Sequence, residues 1–165
     1  MATRRIREFL DGSGVRYISI SHSLAYTAQE IAESAHVPGD EMAKTVIVWI
    51  DNRLVMAVVP ATKDVSVELL RRETGSQHVY LADEADFADR FLGCQLGTVP
   101  PFGILFGMET YIDRCMSRQE HIAFNAGTHT DVIVMRFDDY QRLARPFPVR
   151  IAVEPVDVGL PIASI

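Results

Sequence analysis

The chain has 165 residues, 48% of them hydrophobic and 23% charged, and a formal net charge of −6. That length and composition suit one soluble globular domain with its own core, and every apolar run is strand-length, which excludes a membrane-spanning helix and predicts no membrane partner. The acidic balance argues against nucleic-acid binding over the whole surface, because phosphate attraction dominates that affinity, and leaves room for one local basic patch.

In chain order, "MATRRIREFL" reads as an amphipathic helix, without the long apolar stretch or cleavage site of a signal peptide. Ile6, Phe9 and Leu10 share its inner face, and "DGSG" ends it. Arg4, Arg5 and Arg7, like the later pair Arg71 and Arg72, read as solvated helix faces. "VRYISIS" alternates as a strand. "TAQE" is a capping box with Thr27 as cap and Glu30 reaching back, and Ala28, Ile31, Ala32 and Ala35 follow on one helical face. "KTVIVWI" and "RLVMAVVP" flank "DN" and predict a β-hairpin.

"DVSVELLRRETG" follows as a helix with Gly75 past its end. "HVYLA" is a short strand, and "DEADFADRFLG" is a helix whose acidic first turn suits its dipole. "GTVPPFG" is a loop and "ETYID" a strand. "HIAFNAG" and "TDVIVMRF" pair across a turn at "AGTH", and "FDDYQRLA" is the last helix. The irregular alternation, with hairpins, predicts an α+β fold with a mixed sheet rather than a doubly wound parallel one. Residues 1–150 are expected to form the domain. The apolar, proline-broken segment 151–165 is expected to be a C-terminal extension packed on the domain or on a partner, as an edge strand, a strap or a homodimer contact.

The familiar catalytic constellations are absent from the sequence. There is no nucleophile elbow, P-loop or dinucleotide fingerprint. Cys94 and Cys115 have neither metal-like spacing nor the number for a disulfide framework, so a reducing cytoplasm is expected. Cys94 ends a predicted helix, where no dipole stabilises a thiolate. His121, His129 and Asp131 offer no third ligand at a convincing metal spacing, and no metal site is expected.

Three stretches remain. Lys44 stands at the front of "EMAKTVIVWID", either as a strand-entry lysine that carries its ammonium out to water or as a cation at the mouth of a pocket. In "GTVPPFG", Gly97 and Gly103 permit positive φ or close approach, while Pro100 and Pro101 fix φ and remove two donors. Such a loop can hold the amides of Thr98 and Val99 in one direction as an oxyanion-type cradle, or it is a plain tight turn. In "FNAGTH", Asn125 offers a donor and an acceptor, Gly127 permits a close turn, and His129 either orients water or satisfies a strand-end carbonyl.

Taken in order, "YTAQEIA", "AKTVIV", "VMAVVPA", "GTVPPFG" and "FNAGTH" resemble the YbaK/prolyl-tRNA-synthetase-associated editing-domain family of free-standing aminoacyl-tRNA deacylases. The resemblance runs from "HSLAYTAQEIA" through "FDDYQRL". It implies an α+β domain with a mixed, barrel-like sheet and flanking helices, and hydrolysis of the ester joining a wrong amino acid to the 3′ end of tRNA. The family's signature lysine falls on Lys44, its G-x-x-x-P loop on Gly97 to Pro101, and its third pocket wall around Asn125, Gly127 and His129. Tyr26, Thr27, Pro101, Phe102 and Gly103 are taken with these as substrate-binding, and Lys44, Gly97, Thr98 and Val99 as catalytic. Action without a metal or organic cofactor is implied. "FNAG" departs from the better-known subgroups, so the amino acid removed stays open among small residues such as alanine, serine and cysteine.

The expected mechanism sets the Lys44 ammonium against the terminal ribose-phosphate or the developing oxyanion. The Gly97–Val99 amides hold the carbonyl or the attacking water, and the ribose 2′-OH relays the proton. The expected partners are the aminoacyl-tRNA acceptor end and, for delivery, an aminoacyl-tRNA synthetase or elongation factor. Two rivals are a tRNA- or protein-binding module without turnover and a metal-dependent hydrolase centred on His121, His129 and Asp131.

Overall fold

The computed structural model describes residues 2–25, 27–95 and 97–155. Helix α1 (Ala2–Gly12) buries Ile6 and Leu10, four places apart on one face. Strand β1 (Tyr17–Ser21) leads to α2 (Ala28–Ser34), where the Thr27 hydroxyl accepts the Glu30 N–H at 3.1 Å as the expected cap. Strands β2 (Ala43–Ile50) and β3 (Arg53–Pro60) form the predicted hairpin, with Asp51 in the left-handed region and Lys44 opposite Val59.

The next segment departs from expectation. The helix α3 (Val67–Thr74) starts only after Ser66, whose hydroxyl accepts the Leu69 N–H, and Asp64–Val65 form the short strand β4. Serine at the cap relieves an orphan donor of the first turn, which sets the start of the helix there. Gly75 closes it in the left-handed region, as expected. After β5 (Val79–Leu81), the predicted long helix is a single turn, α4 (Glu84–Phe87), continued as a 3₁₀ turn over Ala88–Phe91. The tighter winding accompanies burial of both Phe87 and Phe91, whose rings meet edge to face. The remaining elements are β6 (Thr110–Asp113), β7 (His121–Asn125), β8 (Asp131–Arg136), α5 (Phe137–Ala144), β9 (Phe147–Val149) and β10 (Ala152–Val153).

The architecture is α+β with mixed sheets. One sheet has the order β1-β8-β7, a larger one β5-β2-β3-β6-β9, and β4 pairs with β10. Strand β6 is parallel to both β3 and β9, while the other ladders are antiparallel. The described strands do not close into the barrel that the resemblance implied. The two larger sheets meet at one parallel bridge, Met42 to Ala123, and from Val48 onward that edge of β2 is taken by β5.

The two-residue period of β7 and β8 serves two cores. Ile122, Phe124, Ile133 and Met135 pack with α1 and α5. Ala123 and Val132 pack with Met42 and with Ile31 and Ala32 of α2. The start of the expected C-terminal extension is tied down by Asp113, whose carboxylate accepts the Ile151 and Ala152 N–H groups at 2.8 and 2.7 Å. Residues 156–165 lie outside the described residues. Among the described residues no helix is long and apolar enough to cross a membrane.

Candidate active site

Lys44 does not carry its ammonium to bulk water. It is 8% exposed, and its Nζ donates to Asp64 Oδ1 at 2.7 Å. The hairpin explains the pairing: Lys44 lies opposite Val59, and the chain turns after Pro60 to bring Asp64 back beside it. An ammonium has three donors, so one bond to Asp64 fixes its position and leaves two for a ligand.

The bridge from Met42 to Ala123 sets what lies next to it. Two residues further along both parallel strands come Lys44 and Asn125. By the strand period they stand at one level and face the same side as Met42 and Ala123. Asn125 is 6% exposed, and its Nδ2 donates to the Gly97 carbonyl at 3.3 Å. The loop and the turn are further stitched by Gly127 N–H to the Thr98 carbonyl (3.0 Å), Gln95 N–H to the Gly127 carbonyl (2.9 Å) and His129 N–H to the Gln95 side chain (2.7 Å). Gly97 and Gly127 both have positive φ, +84° and +98°, which glycine adopts without a Cβ clash. The cation, the glycine–proline loop and the polar turn therefore share one place in the fold.

The loop is stiff for reasons that extend past its prolines. Tyr140 Oη donates to the Pro101 carbonyl at 2.7 Å from a fully buried ring, and that burial drives the phenol's pKa upward. Gly103 N–H donates to Thr110 Oγ1, and a Cβ on Gly103 would collide with the Met108 carbonyl. The Phe102 ring is wholly buried against Phe9, Phe124 and Tyr140.

These contacts show how the other expected site residues are engaged. Phe102 and Gly103 anchor the loop in the core, Phe102 through three aromatic rings and Gly103 through its N–H to Thr110. The Thr98 N–H is used within its own turn, donating to the Gln95 carbonyl at 3.2 Å, and its hydroxyl donates to the same oxygen at 2.6 Å. The amides left in the cradle are those of Gly97 and Val99, which make no hydrogen bond among the described residues. The Thr27 hydroxyl is engaged as a helix cap. Pro101 is buried, with its carbonyl held by Tyr140. Tyr26 lies outside the described residues. Beside the loop, a cavity of about 100 Å³ is walled by Phe87, Phe91, Cys94, Gly97 and Val99.

The thiols suit no nucleophilic role. Burial pushes Cys94 up to about 11, and burial together with Asp113 pushes Cys115 up to about 12. Among the described residues no three His, Cys, Asp or Glu side chains converge as metal ligands, and His121 stands opposite Arg136 at the far end of β7 from Asn125.

Four residues escaped the sequence reading. Asp64 falls within the predicted helix "DVSVELLRRETG", and only the turn after Pro60 and the short strand β4 bring it beside Lys44. Gln95 gives no sequence signal beyond preceding the loop. Tyr140 shows only as an aromatic on a helix, where a buried hydroxyl demands a partner. His22 continues the β1 pairing through its N–H to the Thr130 carbonyl, and its Nδ1 lies 2.7 Å from the Ser23 carbonyl. Its Nε2 is buried without a hydrogen-bond partner.

The sequence model of the aminoacyl-tRNA editing domain matches residues 22–143. The chain belongs to the aminoacyl-tRNA editing domain family, a family of deacylases. It is 24% identical over 148 residues to the multifunctional Ser/Thr-tRNA deacylase ProXp-y of Escherichia coli (strain K12), covering 87% of this chain and 88% of that one. Over 100 residues, 61% of this chain and 17% of the other, it is 25% identical to the proline–tRNA ligase of Syntrophomonas wolfei subsp. wolfei (strain DSM 2245B / Goettingen). The fold is shared with the crystal structure of hypothetical protein APE2540 (TM-score 0.79, 17% identity, 90% of this chain and 99% of that chain). It is also shared with a candidate trans-editing enzyme for prolyl tRNA synthetase (TM-score 0.78, 16% identity, 92% and 97%).

Proposed function

We propose that the protein hydrolyses the ester bond of mischarged aminoacyl-tRNA in trans and releases a small amino acid such as alanine, serine or cysteine. The observation that carries this reading is the Met42–Ala123 bridge, which seats the buried Lys44 cation beside Asn125 and, through Asn125, beside the Gly97 loop. The Lys44 ammonium, aligned by Asp64, meets the terminal ribose-phosphate or the oxyanion that forms as water adds to the ester carbonyl. The Gly97 and Val99 amides supply the neutral donors. The ribose 2′-OH relays the proton from water to the leaving 3′ oxygen. An aminoacyl ester is already activated, so positioning and charge stabilisation suffice.

The small cavity against Gly97 and Val99 supports a small side chain. A groove lined by Arg7, Arg16 and Arg136, beside Asp11 and Glu41, at the end of β7 away from Asn125, offers a local basic patch for the tRNA backbone on an otherwise acidic protein. Residues 1–150 form the deacylase unit in this reading, with 151–165 as its extension. A synthetase or elongation factor delivers the tRNA, and a homodimer is compatible with the extension. The test is turnover. Purified protein at substoichiometric amount should discharge tRNAs carrying alanine, serine or cysteine over many cycles. Binding without release of amino acid would overturn the proposal.

A further inference from the structure

Asp64 aligns Lys44, yet the chain around Asp64 does little to hold it. Strand β4 is two residues long, and among the described residues it pairs with β10 and with no other strand. A ladder this short has no stability of its own. Its register sets Val153 opposite Asp64 and Ala152 opposite Val65, and the Ser66 N–H donates to the Ile151 carbonyl at 2.8 Å. One residue past the ladder, Lys63 pairs with Glu154. The strand that seats Asp64 is therefore supplied by a C-terminal strap, residues 150–154, which lies beyond the end of the family domain at residue 143.

One buried carboxylate holds the strap in turn. Asp113 is 6% exposed, and its Oδ2 accepts the N–H groups of both Ile151 and Ala152, while its Oδ1 accepts that of Cys115 at 2.9 Å. Three backbone donors on one carboxylate compensate for taking its charge out of water. An asparagine would not serve as well, since its carboxamide has one acceptor oxygen and would turn its NH₂ toward a donor. The Ile151 side chain is wholly buried in the cluster that holds Val65, Leu70 and Val149, and the Arg150 N–H reaches Glu73 at 3.2 Å. Apolar packing alone would tolerate a slip along the strand, whereas two directional hydrogen bonds fix the register.

We infer that Asp113 is a positioning residue of the candidate active site: through the C-terminal strap it sets Asp64, and through Asp64 the Lys44 ammonium. The path is short. It runs from Asp113 Oδ2 to the Ala152 N–H, along the strap to Val153 opposite Asp64, and from Asp64 Oδ1 to Lys44 Nζ at 2.7 Å. The effect on rate rests on the deacylase reading above, and it gives a segment outside the family domain a part in the chemistry. Misplacing a group by about 1 Å from a site remote from the chemistry can cost on the order of 100-fold in rate.

The experiment is a double-mutant cycle joined to a direct reading of the lysine. Lys44 and Lys63 are the only lysines of the chain, so labelling by trinitrobenzenesulfonate is resolved for each by peptide mass. In Asp113→Asn, Lys44 should label at least about threefold faster than in wild type. Single-turnover discharge of alanyl-, seryl- or cysteinyl-tRNA, whichever the wild type discharges fastest, should slow by about 10-fold or more. In an Asp64→Ala background the link is already cut, and adding Asp113→Asn should change that rate by less than about twofold. A residue that merely stabilised the fold would give additive losses, which would overturn the inference. Lys44 labelling unchanged by Asp113→Asn would overturn it as well. If wild type discharges no ester, the deacylase reading fails by itself, and the labelling still decides whether the strap sets Lys44. Glu154→Ala disturbs the strap only at an exposed pair and covers the case in which Asp113→Asn does not fold. Lys44 labelling should rise in that variant too, and no rise would count against the strap in the same way.

Discussion

The Lys44–Asp64 pair makes two separable demands, and mutation can divide them. Both side chains are largely buried, 9% and 13% exposed, with a charge-assisted bond of 2.7 Å. Removing one partner from such a pair leaves the other charge without compensation, at about 3–5 kcal/mol. At about 2–4 °C per kcal/mol for a chain of this size, Lys44→Ala should lower Tm by about 6–20 °C. On the proposed mechanism the same variant loses a donor to the oxyanion, so kcat should fall by about 10²–10³-fold. Lys44→Met combined with Asp64→Leu replaces the pair with apolar volume and should recover most of the stability, as buried pairs often do, while activity stays lost. Thermal melts and single-turnover discharge of seryl-tRNA read the two quantities independently. Near-normal deacylation by Lys44→Ala would remove the lysine from the mechanism. A Tm equal to wild type would show that the pair is not buried in solution.

Two further expectations concern groups outside the reacting centre. Burial raises the Asp113 pKa, but hydrogen bonds from the Cys115, Ala152 and Ile151 backbones outweigh that and hold it below the ordinary carboxylate range. A depressed folded-state pKa contributes stability that is present above the unfolded value and lost as pH falls through the folded one. Wild type should therefore exceed Asp113→Asn in urea stability at neutral pH, with the gap closing in acid. A gap that widens on acidification would contradict the assignment. With Cys94 near 11 and Cys115 near 12, alkylation by iodoacetamide at pH 7.5 should proceed far more slowly than for an exposed thiol and leave deacylation unchanged. Rapid inactivation, together with loss of deacylation in Cys94→Ser, would reopen a thiol mechanism.

Much of this protein was written locally. The helix of Ile6 and Leu10, the Thr27 cap, the hairpin around Asp51–Asn52 and the Gly75 stop follow from periodicity and from side chains that bond their own backbone, which neighbours in sequence determine. The ordered stretches around Lys44, Gly97 and Asn125 likewise carry the resemblance to the editing domains in the sequence itself. What tertiary structure alone decided is which atoms remain free. Thr98 spends its amide on Gln95, Phe102 is enclosed by three rings, Asp64 claims Lys44, and Asn125 ties the polar turn to Gly97. The Thr98 turn closes within three residues, but the contacts of Phe102, Lys44 and Asn125 depend on partners distant along the chain. No local pattern encodes such a meeting, because hydrogen-bond capacity is a property of residue type, whereas its satisfaction depends on the completed fold.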